Sequence, residues 1–195
     1  LMFNRSLADD YDPFPDNNKT LELTINGGYS IITGEKSVFW DNGYNLGVGF
    51  NFYFTQDYLV GVTAGYTAYY PRPEINQIDR EYRYELYPLT FNFQSKLGVI
   101  NDLELYGGLG LAYIYGEYKI DEFQYLTNSQ KIRIRYLYAT NGFGIVPNLK
   151  LRSPFGQNFA VDFSVEYNLI YMKSRNNAQL SLDHLNAKLA LVYIL

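Results

Sequence analysis

The sequence has no cysteine and a single histidine, His184. The first absence excludes a disulfide framework, a thiolate metal site, a cysteine nucleophile and a thiol that could carry a lipid anchor. The second removes most zinc and triad chemistry. Long hydrophobic runs are missing too: the longest, residues 189–195, has seven residues, whereas a spanning helix needs about twenty. Nor is there an excess of basic charge, because 16 Lys and Arg stand against 20 Asp and Glu for a net −4. Nucleic acid is therefore not an expected partner. What the chain has in quantity is aromatic: 21 tyrosines and 13 phenylalanines in 195 residues, a length suited to one domain.

From Thr20 onward, apolar residues recur at every second position, which is the period of a strand. Leu21, Leu23, Ile25, Tyr29 and Ile31 share one face of the first stretch, with Glu22, Thr24, Asn26, Gly28 and Ser30 on the other. Seven further stretches follow the same rule, at 44–54, 58–67, 89–97, 103–113, 140–151, 159–169 and 185–195. An alternative parse makes Asn26-Gly27 a two-residue hairpin turn, but each half would then fall short of the roughly nine to eleven residues a tilted membrane strand needs. Pro88 and Pro147 lie inside strands and are read as bulges or bends. Connections around Gln56, Ile100 and Gly156 are short, and those at 34–43, 71–81, 116–135 and 173–180 are long and charged. Short turns at one end and long loops at the other are the habit of outer-membrane barrels, with the turns in the periplasm.

Volume decides which face is outside. An eight-stranded barrel holds roughly one set of modest side chains, and the apolar face offers about five large residues per strand, too many to pack into that space. The opposite face is rich in Gly, Ala, Ser, Thr and Asn, which fit. The expected fold is thus an all-β, eight-stranded, antiparallel, up-and-down transmembrane β-barrel over residues 19–195, apolar outside and polar inside. Tyrosines near strand ends, among them Tyr44, Tyr58, Tyr66, Tyr69, Tyr84, Tyr113, Tyr115, Tyr171 and Tyr193, are read as an interfacial belt. Residues 1–18 lack a secretory apolar core and read as a mature or trimmed start. Asp9, Asp10, Asp12 and Asp16 with Pro13 and Pro15 make them a flexible periplasmic segment.

Residues 87–93 (YPLTFNF), 105–113 (LYGGLGLAY) and the closing strand resemble the small eight-stranded outer-membrane β-barrel family, of the OmpA-barrel, OmpX and OmpW kind, over residues 20–195. Lys188, Ala190, Tyr193 and Leu195 resemble the C-terminal signal read by the barrel-assembly machinery. Ala190 stands where glycine is usual there, and Leu195 where phenylalanine is usual. The resemblance implies residence in the outer membrane of a diderm bacterium and no cofactor. Its expected role is structural or surface-facing and non-enzymatic, with the outer loops, chiefly 116–135, meeting lipid or a protein partner. A narrow channel for small hydrophobic molecules, as in OmpW-like members, is the alternative, and a lipid A-modifying enzyme comes third.

Candidate chemistry lies in the lumen and at the rim. Lys96 and Glu104 are symmetric about Ile100, Lys150 and Asp162 about Gly156, and Glu22 and Lys188 lie on the strands that close the barrel. Three opposite-charge pairs are expected to form a lumen network, with Glu166 left without an evident partner. Arg72, Arg80, Arg83, Arg133, Arg135, Lys173 and Arg175 are candidates for lipopolysaccharide phosphates, since guanidinium binds phosphate bidentately. His184 has Ser181 and Asp183 nearby, the residue types used by lipid A-modifying barrel enzymes. Period two sets Asp183 and His184 on opposite faces, which argues for a rim histidine instead.

Overall fold

Residues 21–33, 37–73, 80–127, 130–174 and 179–195 are described by the computed structural model, so the segment read at 1–18 lies outside the described residues. The strands are β1 (Leu21–Ile32), β2 (Gly43–Tyr53), β3 (Tyr58–Tyr69), β4 (Arg80–Ile100), β5 (Leu103–Thr127), β6 (Gln130–Phe155), β7 (Phe159–Ser174), β8 (Gln179–Ser181) and β9 (His184–Ile194). Sequence neighbours pair antiparallel, and β1 pairs with β9 to close the sheet. Strands β8 and β9 keep one register against β7, with Ser181 opposite Tyr171 and His184 opposite Asn168. They act as one strand interrupted at Leu182-Asp183, where Asp183 Oδ1 accepts the Ile170 N–H at 3.0 Å. The ring therefore has eight strand positions.

β1 runs unbroken through Asn26-Gly27, which pair with Gly47 and Leu46 of β2, so the hairpin alternative falls. The tight two-residue turn lies instead at Asn101 and Asp102, whose φ values of 47° and 65° suit the type I′ geometry that matches strand twist. Neither proline makes a bulge. The β3–β4 ladder skips the pairs beside Pro88, and the β6–β7 ladder skips Val146 and Pro147, without a change of register. A missing N–H removes a bond but leaves the pleat intact. The bulge in this part of the wall falls between Lys96 and Gly98.

Strand length is where the structure departs most from expectation. β1, β2, β3 and β9 have 11 or 12 residues, about what a tilted strand needs to span the bilayer. β4, β5 and β6 have 21, 25 and 26. The segment expected as a loop at 116–135 is strand on both sides of residues 128–129, and β4 begins at Arg80, within the loop expected at 71–81. A three-stranded sheet thus projects beyond the wall. Its charges alternate with Tyr and Ile rather than interrupting the pattern: Glu117, Lys119 and Asp121 interleave with Tyr118 and Ile120, and Arg133 and Arg135 with Ile134 and Tyr136. Asp121 lies opposite Arg135 across β5–β6, a stabilising cross-strand pairing.

Outward positions between the strand ends are large, apolar and exposed, as at Ile25, Phe50, Phe91, Leu109, Leu111, Ile145, Phe163 and Leu189. Burying such a surface in lipid is the stable arrangement, because water would meet it at roughly 25 cal/mol per Å². Tyr44, Tyr113 and Tyr171 face outward, but Tyr69 and Tyr84 point into the barrel and are buried. Those two belong to the lumen rather than to the aromatic belt.

The interior is layered, and only part of it is polar. At the short-turn end it is charged, at mid-height it holds amides and hydroxyls, and at the projecting end it is apolar. Ile32, Tyr69, Tyr84, Leu86, Ala112, Ile114, Val146, Ile170, Met172 and Leu182 form one buried cluster there, with Trp40 and Tyr118 packed against it. Trp40 is held over the cluster by a bridge to Pro71, its ring centroid 5.9 Å from Tyr84 and 5.7 Å from Tyr118. Gly116 leaves the space this packing needs, since a Cβ there would lie 2.9 Å from Met172 Cε and 3.0 Å from Tyr84 Oη.

Candidate functional site

The charged layer is organised by Arg152, a residue the sequence reading did not single out. Its register is direct: Asp162 of β7 lies opposite on one side and Glu104 of β5 on the other. The guanidinium grips two carboxylates at once. Nε and Nη2 donate to Asp162 at 2.7 and 2.9 Å, while Nη1 and Nη2 donate to Glu22 at 2.5 and 3.0 Å. Nη1 also donates to Tyr53 Oη. All five N–H donors of the fork are thereby used, in the paired geometry that makes arginine–carboxylate contacts strong. Arg152 and Glu22 are 0% exposed.

Around this centre, Asn51 Nδ2 donates to Glu22 at 3.1 Å. Lys150 Nζ lies 3.6 Å from Asp162 Oδ2 and 4.5 Å from the Tyr106 ring centroid. Tyr106 Oη donates to Glu104 at 2.8 Å, and Lys96 Nζ reaches the other oxygen of Glu104 at 2.5 Å. Glu22, Lys96, Glu104, Lys150 and Asp162 are thus gathered in one layer. Two pairings differ from expectation. Glu22 and Lys188 do not meet, because β1 and β9 set Glu22 opposite Ile194 and Lys188 opposite Gly28. Lys188 instead donates to Glu166 at 2.5 Å, so Glu166 has a partner. Four carboxylates and four cations balance in the described lumen.

At mid-height, Gln94 Nε2 donates to Asn148 Oδ1 at 2.7 Å. His184 is buried, its Nδ1 3.0 Å from the Leu182 carbonyl and its ring edge-on to Tyr69 at 5.9 Å. It faces the lumen and not the rim. Ser30 Oγ lies 2.5 Å from Tyr69 Oη, and Asp183 is engaged by the Ile170 N–H. Among the described residues no group of three His, Asp or Glu side chains could hold a metal ion. The void left at this level is about 30 Å³.

On the projecting sheet, four of the rim cations expected at phosphates lie against carboxylates. Arg80 is 3.5 Å from Glu122 and Arg83 is 3.4 Å from Glu85. Arg133 and Arg135 both bind Asp121, the latter through Nε at 2.8 Å. Their hydrogen bonds hold the Asp121 carboxyl well below its ordinary value. Lys119 bridges Glu85 at 2.6 Å and Glu117 at 3.0 Å; desolvation would lower its ammonium pKa, but the hydrogen bonds it donates to those carboxylates outweigh this and push the pKa up. Arg72 is exposed. The side chains of Lys173 and Arg175 lie outside the described residues. On the closing strand, Lys188 points inward, whereas Tyr193 and Leu195 point outward. Ala190 lies opposite Asp162 on β7, and Tyr193 packs on Phe159 at 5.1 Å.

No known protein family and no curated protein matches the sequence. Solved structures do match the fold. The attachment invasion locus protein Ail of Yersinia pestis aligns at 15% identity and a TM-score of 0.55, over 90% of this chain and 97% of that one. Neisserial surface protein A aligns at 11% and 0.55, over 90% and 97%. A major outer membrane protein from Thermus thermophilus gives 11% and 0.55, over 90% and 99%. The fold is that of the small outer-membrane β-barrels. With its outward apolar belt, the chain is an integral outer-membrane barrel of eight strand positions.

Proposed function

We propose that the protein is a non-enzymatic outer-membrane anchor with a closed lumen, built to hold the projecting β4–β5–β6 sheet at the cell surface. The observation that carries this reading is the filled interior: one layer is tied by Arg152 to Glu22 and Asp162, another is packed with apolar side chains under Trp40, and the void between them is about 30 Å³. Eight strands leave little space beyond what side chains fill. Burial of His184 keeps its imidazole away from any lipid substrate, and the side chain of Ser181 lies outside the described residues. The sheet's ion pairs tie its three strands together, so it is a stiff platform. Arg133 and Arg135 are half-exposed on it, and their guanidiniums suit the phosphates of lipopolysaccharide or an acidic protein partner.

Surface exposure is tested with cysteines at Leu137, in the projecting part of β6, and at Gln157, in the β6–β7 turn. A membrane-impermeant maleimide on intact cells should label Leu137→Cys and spare Gln157→Cys. The reverse pattern would put the platform in the periplasm and end the proposal.

A further inference from the structure

Between the charged and apolar layers lies the cavity of about 30 Å³, whose wall includes Asn45, Glu166, Asn168, His184, Asn186 and Lys188. Two atoms of this wall, Asn45 Oδ1 and Asn168 Nδ2, are buried without a hydrogen-bond partner. Both residues are more than nine-tenths buried, at 3% and 5% exposure. One is an acceptor and the other a donor. The amide nitrogen of Asn45 is turned to Asn186 Oδ1 at 3.4 Å, which leaves its oxygen for the cavity.

We propose that this chamber is a binding site for about two water molecules, which accept from Asn168 Nδ2 and donate to Asn45 Oδ1. The size fits, because a bound water needs roughly 10 to 15 Å³ of such space. The chemistry fits as well. Buried amide groups are almost always paired, and water, the solvent itself, both donates and accepts without bringing charge. A cation would meet Lys188, whose ammonium lies 2.5 Å from Glu166, and an anion would meet the Glu166 carboxylate. Larger solutes exceed the volume. The waters complete the polar middle layer, joining β2 to β7 across the lumen where no side chain of either strand reaches the other through these two atoms. Occupancy of the site is independent of the closed-lumen reading; slow exchange of its waters with bulk rests on it.

A high-resolution crystal structure of the whole barrel grown from a lipid mesophase should show ordered density within hydrogen-bond distance of both atoms. An empty chamber, or asparagines rotated to pair with protein groups, would overturn the site. The second measurement is the urea midpoint of Asn168→Leu in lipid vesicles, a change that leaves the Asn45–Asn186 hydrogen bond in place. If water bridges the two amides, removing the donor strands the water and Asn45 Oδ1, and the midpoint falls. If Asn168 Nδ2 has no ligand, the apolar replacement relieves it and the midpoint rises, which also overturns the site. Water-exchange NMR separates the two readings: occupied density with fast exchange would count against the closed lumen and leave the water site standing.

Discussion

Arg152 ties β6 to β7 by register and to β1 and, through Tyr53, β2 across the lumen, so its loss is felt on four strands. Arg152→Ala leaves Glu22 and Asp162 buried and short of their main cation, a situation that costs about 3 to 5 kcal/mol. Arg152→Lys should recover only part of this, because a single ammonium cannot grip two carboxylates bidentately. Lys96→Ala should cost less than either, since its side chain is 21% exposed and Tyr106 still donates to Glu104. Urea unfolding in lipid vesicles should rank the variants in that order, and an Arg152→Ala barrel as stable as Lys96→Ala would remove Arg152 from the centre. The residue was legible in principle: it continues the inward face of Lys150 by one period of two. It escaped because symmetry about Gly156 pairs Asp162 with Lys150, whereas the turn is centred one residue later and pairs Asp162 with Arg152. The Glu22–Lys188 error has a similar source, since membership of adjacent strands does not fix height along them.

At the scale of the strand, alternation was enough to locate the membrane-spanning stretches and their outward faces, because lipid rewards one pattern over the whole belt. It was not enough to find where strands end. Beyond the belt the residues alternate between Tyr or Ile and charge, and charge in a sequence reads as loop until the partners across the ladder are known. Leu109 and Leu137 occupy the same outward series on β5 and β6, yet only Leu109 lies within the spanning region. Leu109→Arg should therefore cost about 2 to 4 kcal/mol, and Leu137→Arg no more than about 0.5 kcal/mol. Equal losses would mean that the hairpin lies in lipid. The hairpin's own ion pairs give a second prediction. Asp121 has its folded pKa lowered from 3.8 by Arg133 and Arg135, so its contribution is fully present above about pH 4 and disappears only as pH falls through the lower folded value. Carboxyl NMR of Asp121 should show no titration step at pH 4, and a step there would dissolve the pairing.

The whole molecule places two unlike seals in series, and this alters what charge removal should do to conduction. A lumen closed only by ion pairs would open once its lysines were deleted. Here the apolar layer under Trp40, with Tyr84, Leu86 and Met172, would still block the path, and water does not readily fill a tight apolar constriction. In planar bilayers the wild type should give few or small steps, and Lys150→Ala together with Lys96→Ala should look the same. Trimming only the other seal, with Trp40→Ala and Met172→Ala, should also stay quiet, because the side chains of Lys96 and Lys150 still fill the charged layer around Arg152. All four substitutions together should raise conductance and favour cations, since Glu104 and Asp162 then line the widened path with less positive charge to balance them. Large, stable channels in the wild type, or full opening on deletion of the two lysines alone, would show that the apolar layer does not seal, and would shift the balance from closed anchor to conduit.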